Sequence, residues 1–309
     1  MNFTEWTKSE LCAKKRADNL LIAAFSGFVR TAGSIISQNG AIGFSVNGQS
    51  ECIEYFADAA VRLYGTKPVF SVGAKSKLNG FSVMDENGYK ILSDLGICKL
   101  LDGKITLCFE PDGALIKNDQ LKRAYTAGAF MGGGSITLPG KGDKKSTTGY
   151  HFEIVFSMYV TALNLCEVLT EAGFFPKLIN RKDSWVVYFK QSEEIKDLLV
   201  FMGADKCVFE LVNTMLLREM KNKTNRENNC FLYNTDKTVD ASVKQRGSID
   251  LIEQVAGLES LSEELYQVAD ARRKYPELSL SDLAAVLGIS KSCLNHRLRK
   301  INSIANDLK

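Results

Sequence analysis

The sequence predicts an α+β protein in which one α-β-β-α-β-β-α unit is used twice and an all-α region comes after it. Three observations carry that expectation. Residues 20–35 (LLIAAFSGFVRTAGSI) and 121–136 (LKRAYTAGAFMGGGSI) align at a constant offset of 101, sharing Leu20/Leu121, Ala23/Ala124, Gly27/Gly128, Gly33/Gly134, Ser34/Ser135 and Ile35/Ile136. An internal repeat of this kind is read before any other feature, because it fixes the unit of architecture. The stretches downstream of the two copies also run in parallel. From Ser248 onward the spacing of apolar residues is helical throughout.

Each copy opens with its repeated helix, which ends in a Gly-Ser-Ile turn. Gly40–Val46 and Tyr150–Ser157 then alternate in polarity and are rich in β-branched or aromatic residues, the pattern of half-buried strands. Glu51–Tyr64 and Met158–Ala172 return to helical spacing and stop at Gly65 and Gly173. Strands are expected at Pro68–Val72 and Gly80–Met84 in the first half, and at Pro176–Ile179 and Trp185–Phe189 in the second. Short helices at Tyr89–Leu95 and Ser192–Met202 close the two halves. The resulting division is 1–110 and 111–212 for the repeats, 213–257 for a helical linker and 258–309 for a terminal domain.

The linker is polar and asparagine-rich. Over residues 213–246 it carries Arg218, Lys221, Lys223, Arg226, Lys237, Lys244 and Arg246 against four acids. It reads either as a solvated helix or as a basic surface that tracks phosphates, with Arg218, Lys221, Lys223 and Arg226 as the contacts. Helical spacing resumes in Leu251, Ile252, Val255 and Leu258 and continues through Leu261–Tyr275, where Pro276 ends it.

Residues 279–301 (SLSDLAAVLGISKSCLNHRLRKI) have the form of a helix-turn-helix. Ser279 or Ser281 caps a short helix with Leu283, Ala284 and Leu287 on its apolar face. Gly288 makes the sharp turn, Ile289 plugs the core and Ser290 caps a second helix. On that helix Leu294, Leu298 and Ile301 share one face, while Ser292, Asn295, His296 and Arg299 lie opposite, flanked by Lys291 and Lys300. Residues 289–301 hold four basic residues and no acid. Such a helix suits the major groove: arginine pairs bidentately with guanine, asparagine with adenine, and lysines neutralise phosphates. The candidate DNA contacts are therefore Lys291, Ser292, Asn295, His296, Arg297, Arg299 and Lys300.

The bulk composition argues for little by itself. The chain of 309 residues is 45% hydrophobic and 24% charged, with a net charge of +3, which permits nucleic-acid binding without demanding it. Eight cysteines without a C-x-x-C pair, and two histidines, argue against a zinc cage or a disulfide framework and fit reduced thiols. No metal site and no cofactor are expected. The N-terminal MNFTEWTKSELCAKKR lacks a signal peptide's apolar region and no run of 18 apolar residues occurs, so a cytoplasmic, non-membrane protein is expected.

Ser26–Ile35 (SGFVRTAGSI) and Ala127–Ile136 (AGAFMGGGSI) resemble the LAGLIDADG motif of homing endonucleases, which usually runs like AGFIDGDGSI. That family's saddle-shaped fold uses the same order of elements in each half. Together with SLSDLAAVLG and SKSCLNHRLRK, the pattern over nearly the whole chain is similar to the WhiA family of sporulation and cell-division regulators of Gram-positive bacteria. The resemblance implies a degenerate nuclease scaffold fused to a DNA-binding helix-turn-helix related to sigma-factor region 4. It implies a transcription factor acting at promoters, at the nucleoid, in sporulation, division or chromosome segregation, with RNA polymerase or another regulator as a further partner.

The departures from the nuclease motif are Ala32 and Gly133, where an active enzyme has its acids, with Arg30 and Met131 beside them. Phosphodiester cleavage on this scaffold needs divalent metal, and magnesium prefers carboxylate oxygens, so the chain is expected not to be an enzyme. Two other readings stay open. Asp143, Glu153 and Asp183 would have to gather into a rebuilt site for metal-dependent cleavage. Alternatively the N-terminal region is a protein-interaction scaffold localised by the helix-turn-helix. Gly27 and Gly128 are expected to allow tight helix packing, and Gly132-Gly133-Gly134 lacks the lysine of a phosphate loop. The loop Lys141–Gly149 (KGDKKSTTG) reads as a phosphate contact or a surface loop, and His151 as a packed or surface residue. Because the repeat supplies pseudo-symmetry within one chain, a monomer is expected.

Overall fold

The computed structural model describes residues 2–38, 41–73, 77–139 and 149–308. The chain divides into two compact units, Met1–Leu217 and Arg218–Lys309. The first begins with a helix outside the expected repeat, α1 (Phe3–Cys12), whose start is fixed by a capping box between Asn2 and Glu5. The repeat comes next: α2 (Asp18–Ala32), β1 (Gly33–Gln38), β2 (Ala41–Asn47), α3 (Ser50–Tyr64), β3 (Val69–Val72), β4 (Leu78–Val83) and α4 (Asn87–Asp94). An additional hairpin, β5 (Cys98–Leu101) and β6 (Lys104–Leu107), separates it from the second copy. That copy is α5 (Asp119–Gly133), β7 (Gly134–Thr137), β8 (His151–Phe156), α6 (Tyr159–Glu171), β9 (Lys177–Arg181), β10 (Ser184–Phe189) and α7 (Ser192–Met202).

The expected α-β-β-α-β-β-α order is present in both halves, and their antiparallel sheets match strand for strand: β1-β2-β4-β3 and β7-β8-β10-β9. One local expectation is corrected. The Gly-Ser-Ile segments are the first strands of the sheets rather than turns. Gly33 (φ −99°, ψ 154°) and Gly134 (φ −85°, ψ 148°) are extended, so each helix passes straight into its strand without reversing. The hairpin β5–β6 is also additional to the expected elements, although its Asp102-Gly103 turn, with φ of 49° and 75°, is the usual two-residue signal.

The helices lie on one face of each sheet. Phe44, Val46, Phe81 and Val83 are buried, and Phe44 and Phe81 meet Phe25 of α2, which in turn stacks on Phe56 of α3 at 5.2 Å. In the second half Phe152, Ile154, Phe156, Val187 and Phe189 play the same part, with Phe130 of α5 stacked on Phe152 at 5.1 Å. The two halves share one continuous core because α2 and α5 cross with their backbones in contact. A Cβ added to Gly128 would sit 1.8 Å from the Ala24 carbonyl oxygen, and one added to Gly27 would sit 2.1 Å from that of Tyr125. Nothing larger than glycine fits either position.

Helix α1 ties the ends of this unit together. The Thr4 hydroxyl donates to the Ile136 carbonyl and accepts from its N–H, joining α1 to β7. The Glu10 carboxylate accepts from the N–H groups of Lys206 and Cys207 at 2.7 and 2.9 Å, and Lys14 pairs with Asp205 at 2.7 Å. Those residues begin α8 (Asp205–Ala256), a continuous helix of 52 residues whose 218–236 stretch is exposed. Within the second unit, Ile249 and Ile252 near the end of α8 are buried with residues of α9 (Glu263–Lys274), α10 (Leu280–Val286) and α11 (Lys291–Asp307).

Candidate nucleic-acid interface

Short-range capping and one buried cation build the second unit's helical pair. Ser279 accepts from the Asp282 N–H at the start of α10, and Ser290 accepts from Cys293 N–H at the start of α11. Between them Gly288 adopts φ 64°, and the N–H of Ile289 closes on the Ala284 carbonyl at 3.0 Å. The segment leading into α10 is held by Arg272 of α9. That side chain is fully buried, and its guanidinium donates to the Leu278 carbonyl at 2.8 Å. Burial pulls its pKa below the ordinary arginine value, the expected sign for a cation removed from water. Ser242 of α8 donates to the Pro276 carbonyl from the other side of the same segment.

On α11, Leu294, Leu298, Ile301 and Ala305 are buried and form one stripe. At 100° per residue the opposite side is centred on Ser292, His296 and Arg299, and all three are exposed. Lys291 and Lys300 are exposed on the flanks, and Asn295 is half-buried at the edge of the stripe. Arg297 is placed differently. Its guanidinium pairs with Glu264 of α9 at 2.9 Å and the side chain is only 19% accessible, so it braces α11 against α9. The outward row therefore offers one guanidinium, one imidazole and a hydroxyl, with an ammonium group on either side.

Arg218, Lys221, Lys223 and Arg226 are exposed on α8, but they do not share a stripe. Helical geometry spreads them over more than half of the helix circumference, and Glu219 and Glu227 are interspersed. The Arg226 side chain turns back to the Asn222 carbonyl at 3.3 Å.

The two sheets present different open faces. In the first half the residues that alternate with the buried ones include Ser34, Ile36, Gly43, Ser45, Ser71 and Ser82, and no charged residue lies on that face of the described strands. In the second half His151, Glu153, Tyr188, Lys177 and Arg181 lie together on that face. The Glu153 carboxylate takes His151 Nε2 and Arg181 Nη2, each at 2.9 Å, and the Ser135 hydroxyl at 3.3 Å. Burial works to raise its pKa, but those hydrogen bonds and charges outweigh it and hold the carboxyl below its ordinary value.

At the ends of α2 and α5, where a nuclease of this fold keeps its acids, the chain has Ala32, Thr31, Gly132 and Gly133. A Cβ on Gly133 would lie 2.5 Å from the Val155 carbonyl oxygen, and one on Gly132 would lie 2.0 Å from Thr31 Oγ1. Met131 is fully buried. Arg30 has a use the sequence did not disclose: its guanidinium donates to the carbonyls of Gly96, Cys108, Phe109 and Glu110 at 2.6–3.0 Å, clamping the segments that flank β5–β6. Asp183 lies exposed in the β9–β10 turn, and Asp143 and residues 141–148 of the basic loop lie outside the described residues. No group of three or more His, Cys, Asp or Glu side chains converges among the described residues. No helix among them is long and apolar enough to cross a membrane.

Comparison with known proteins matches both units. Residues 224–305 match the family model for the WhiA C-terminal HTH domain, and residues 122–221 match that for the WhiA LAGLIDADG-like domain. A relative named "Probable cell division protein WhiA" from Clostridium acetobutylicum is 35% identical over 323 residues, spanning 100% of this chain and 99% of its own. One of the same name from Clostridium perfringens is 36% identical over 330 residues with the same coverage. Among solved structures, full-length DUF199/WhiA from Thermatoga maritima superposes with a TM-score of 0.60 at 20% identity over 99% of both chains, a likeness of fold.

Proposed function

The chain belongs to the WhiA family, and from that premise we propose that it is a sequence-specific DNA-binding transcription regulator of division or sporulation that does not cleave DNA. The observation that carries the reading is α11. It is capped at its N-terminus and buried along one stripe, and it exposes Ser292, His296 and Arg299 between Lys291 and Lys300. A helix so built enters a major groove with its polar row against base edges and its flanking ammonium groups toward phosphates. Arg299 is assigned to a guanine edge, Ser292 and His296 to neighbouring bases, and Lys291 and Lys300 to the backbone. Asn295 reaches bases only from the side of the helix. Arg297, through Glu264, fixes the angle of α11 rather than touching DNA.

The N-terminal unit supports the non-cleaving half of the proposal. Its helix ends offer a methyl group and glycines, and the acid on the second sheet's open face, Glu153, is already engaged by the Arg181 guanidinium and the His151 ring. With no charge on its open face in the described first-half strands, that half of the unit fits a protein partner, such as RNA polymerase or another regulator, better than a phosphate backbone. On this reading Arg218, Lys221, Lys223 and Arg226 add only diffuse attraction for DNA. The protein works as a monomer at promoters in the cytoplasm, on the nucleoid.

The test is selection of duplexes from fragmented genomic DNA by the full chain, followed by binding to the selected site. Arg299→Ala should cost about 1–3 kcal/mol on that site and little on unrelated duplex. If Arg299→Ala, His296→Ala and Ser292→Ala all leave the selected site bound as before, α11 is not the reader. Magnesium-dependent nicking of the selected duplex would overturn the other half of the proposal.

A further inference from the structure

Two of the eight cysteines meet inside the first unit. Cys12, on the last turn of α1, and Cys52, on the first turn of α3, have their sulfurs 3.7 Å apart. Cys52 is fully buried, whereas Cys12 is half-buried and lines a cavity of about 230 Å³. The cavity is also lined by Lys14, Lys15, Arg16, Tyr55, Arg62 and Asp58, so cations outnumber acids on the open side of Cys12. Of these cations, Lys14 and Arg62 are held in ion pairs to Asp205 and Asp18. Arg16 is fixed there by hydrogen bonds to the Tyr55 hydroxyl at 2.8 Å and the Leu11 carbonyl at 2.9 Å. Lys8 of α1 is buried beside the two thiols. The hydrogen bond from Cys12, reinforced by Lys8, pulls the Cys52 thiol below its ordinary pKa, and Cys12 is pushed up by the same shared proton. One thiolate is thus easier to form in this pair than in an isolated buried cysteine.

We propose that Cys12 and Cys52 form an oxidative modification site, at which a hydroperoxide entering the cavity beside Cys12 is reduced and a disulfide bolts α1 to α3. The proton shared across the sulfurs moves to Cys52 as Cys12 attacks. The Cys12 sulfur attacks one peroxide oxygen and breaks the O–O bond, giving a sulfenic acid. The displaced hydroxide takes up from solvent the proton that the pair gave up when its thiolate formed, and leaves as water. The proton on Cys52 goes to the hydroxyl that departs in the next step. The Cys52 sulfur then attacks Cys12 Sγ, forming S–S and breaking S–O, and a second water departs. Two thiols lose two electrons and two protons, and one hydrogen peroxide becomes two waters. The sulfurs must close by about 1.7 Å to reach bonding distance, which side-chain rotation between two packed helices can supply. The product fixes α1, the element that joins α3, β7 and the start of α8, at both of its ends.

The experiment treats the reduced full chain with one equivalent of hydrogen peroxide, alkylates the remaining thiols under denaturing conditions and maps the cysteines by mass spectrometry. The Cys12–Cys52 cross-linked peptide should be the main product, while exposed Cys230 is recovered alkylated. The oxidised chain should melt roughly 5–10 °C higher than the reduced one, and a reductant should reverse the shift. In Cys52→Ala, Cys12 should stop at a sulfenic acid that a carbon nucleophile traps; in Cys12→Ser, Cys52 should be recovered alkylated. The proposal is overturned if both cysteines of the unaltered chain are recovered alkylated while others oxidise. It is equally overturned if Cys12 proceeds to sulfinic acid with no cross-link.

Discussion

At the crossing of α2 and α5 the side chains are Gly27, Gly128, Ala24 and Gly132, and each is small because another backbone occupies the space beside it. On the outward row of α11 they are Ser292, His296 and Arg299, all exposed, with Ser292 hydrogen-bonded to the neighbouring cap residue Ser290 at 3.0 Å. Both segments carry a repeated or motif-like signature, yet their constraints differ in kind. The crossing is specified by what must be absent, the row by what must be present. A nuclease-like motif therefore survives as architecture when its acids are gone, because the glycines and the acids do different physical work.

The largest effect is expected at the crossing itself. Gly128→Val places a branched side chain where a Cβ alone would lie 1.8 Å from a carbonyl oxygen. It should cost at least about 3 kcal/mol, read as the urea midpoint of the first unit's transition. Arg30→Ala comes next, at about 2–4 kcal/mol, because four carbonyls lose a charged donor at once; Arg30→Lys should recover only part of it. By comparison, Arg299→Ala should leave stability within about 0.5 kcal/mol while weakening DNA binding, so a large melting shift for that variant would place it in the packed class.

Acid tests the one charged cluster described on the sheets. Glu153 has a depressed pKa in the folded state, so its contribution is present above its unfolded value and is lost as pH falls through the folded one. Stability of the wild type should therefore drop more steeply than that of Glu153→Gln as pH is lowered below about 4.5. The smallest effects belong to the flanks of α11. Lys291→Ala and Lys300→Ala should each reduce the salt slope of binding by about 1, with base preference unchanged.

Legibility from sequence divides along the same line. Alternation and glycine stops locate both halves, since Phe44, Val46 and Phe81, like Phe152, Ile154 and Phe156, sit at every second position in strands buried on one side. Caps at Ser279 and Ser290 and the turn at Gly288 place α10 and α11, because those signals act within four residues. The Gly-Ser-Ile segments depart from the expected turn because glycine after a helix usually reverses the chain, whereas here it continues extended. The Asp102-Gly103 pair is a readable hairpin signal, but it falls between the two copies, where the repeat pattern assigns nothing. Arg30 and Arg297 are not readable at all: their partners lie 66–80 residues away for the first, and on a separate helix for the second.

The cap that Glu10 places on α8 has a kinetic corollary. Its acceptor and donors are 196 and 197 residues apart in the chain. At 5–20 residues per second, translation delivers Lys206 roughly 10–40 s after Glu10. Through that interval α1 exists without the helix that completes its seat. Helix α1, made before both repeats, is thus among the last elements to be locked. A nascent chain halted before residue 136, with neither β7 nor α8 made, should leave α1 open to proteases after the first sheet has formed.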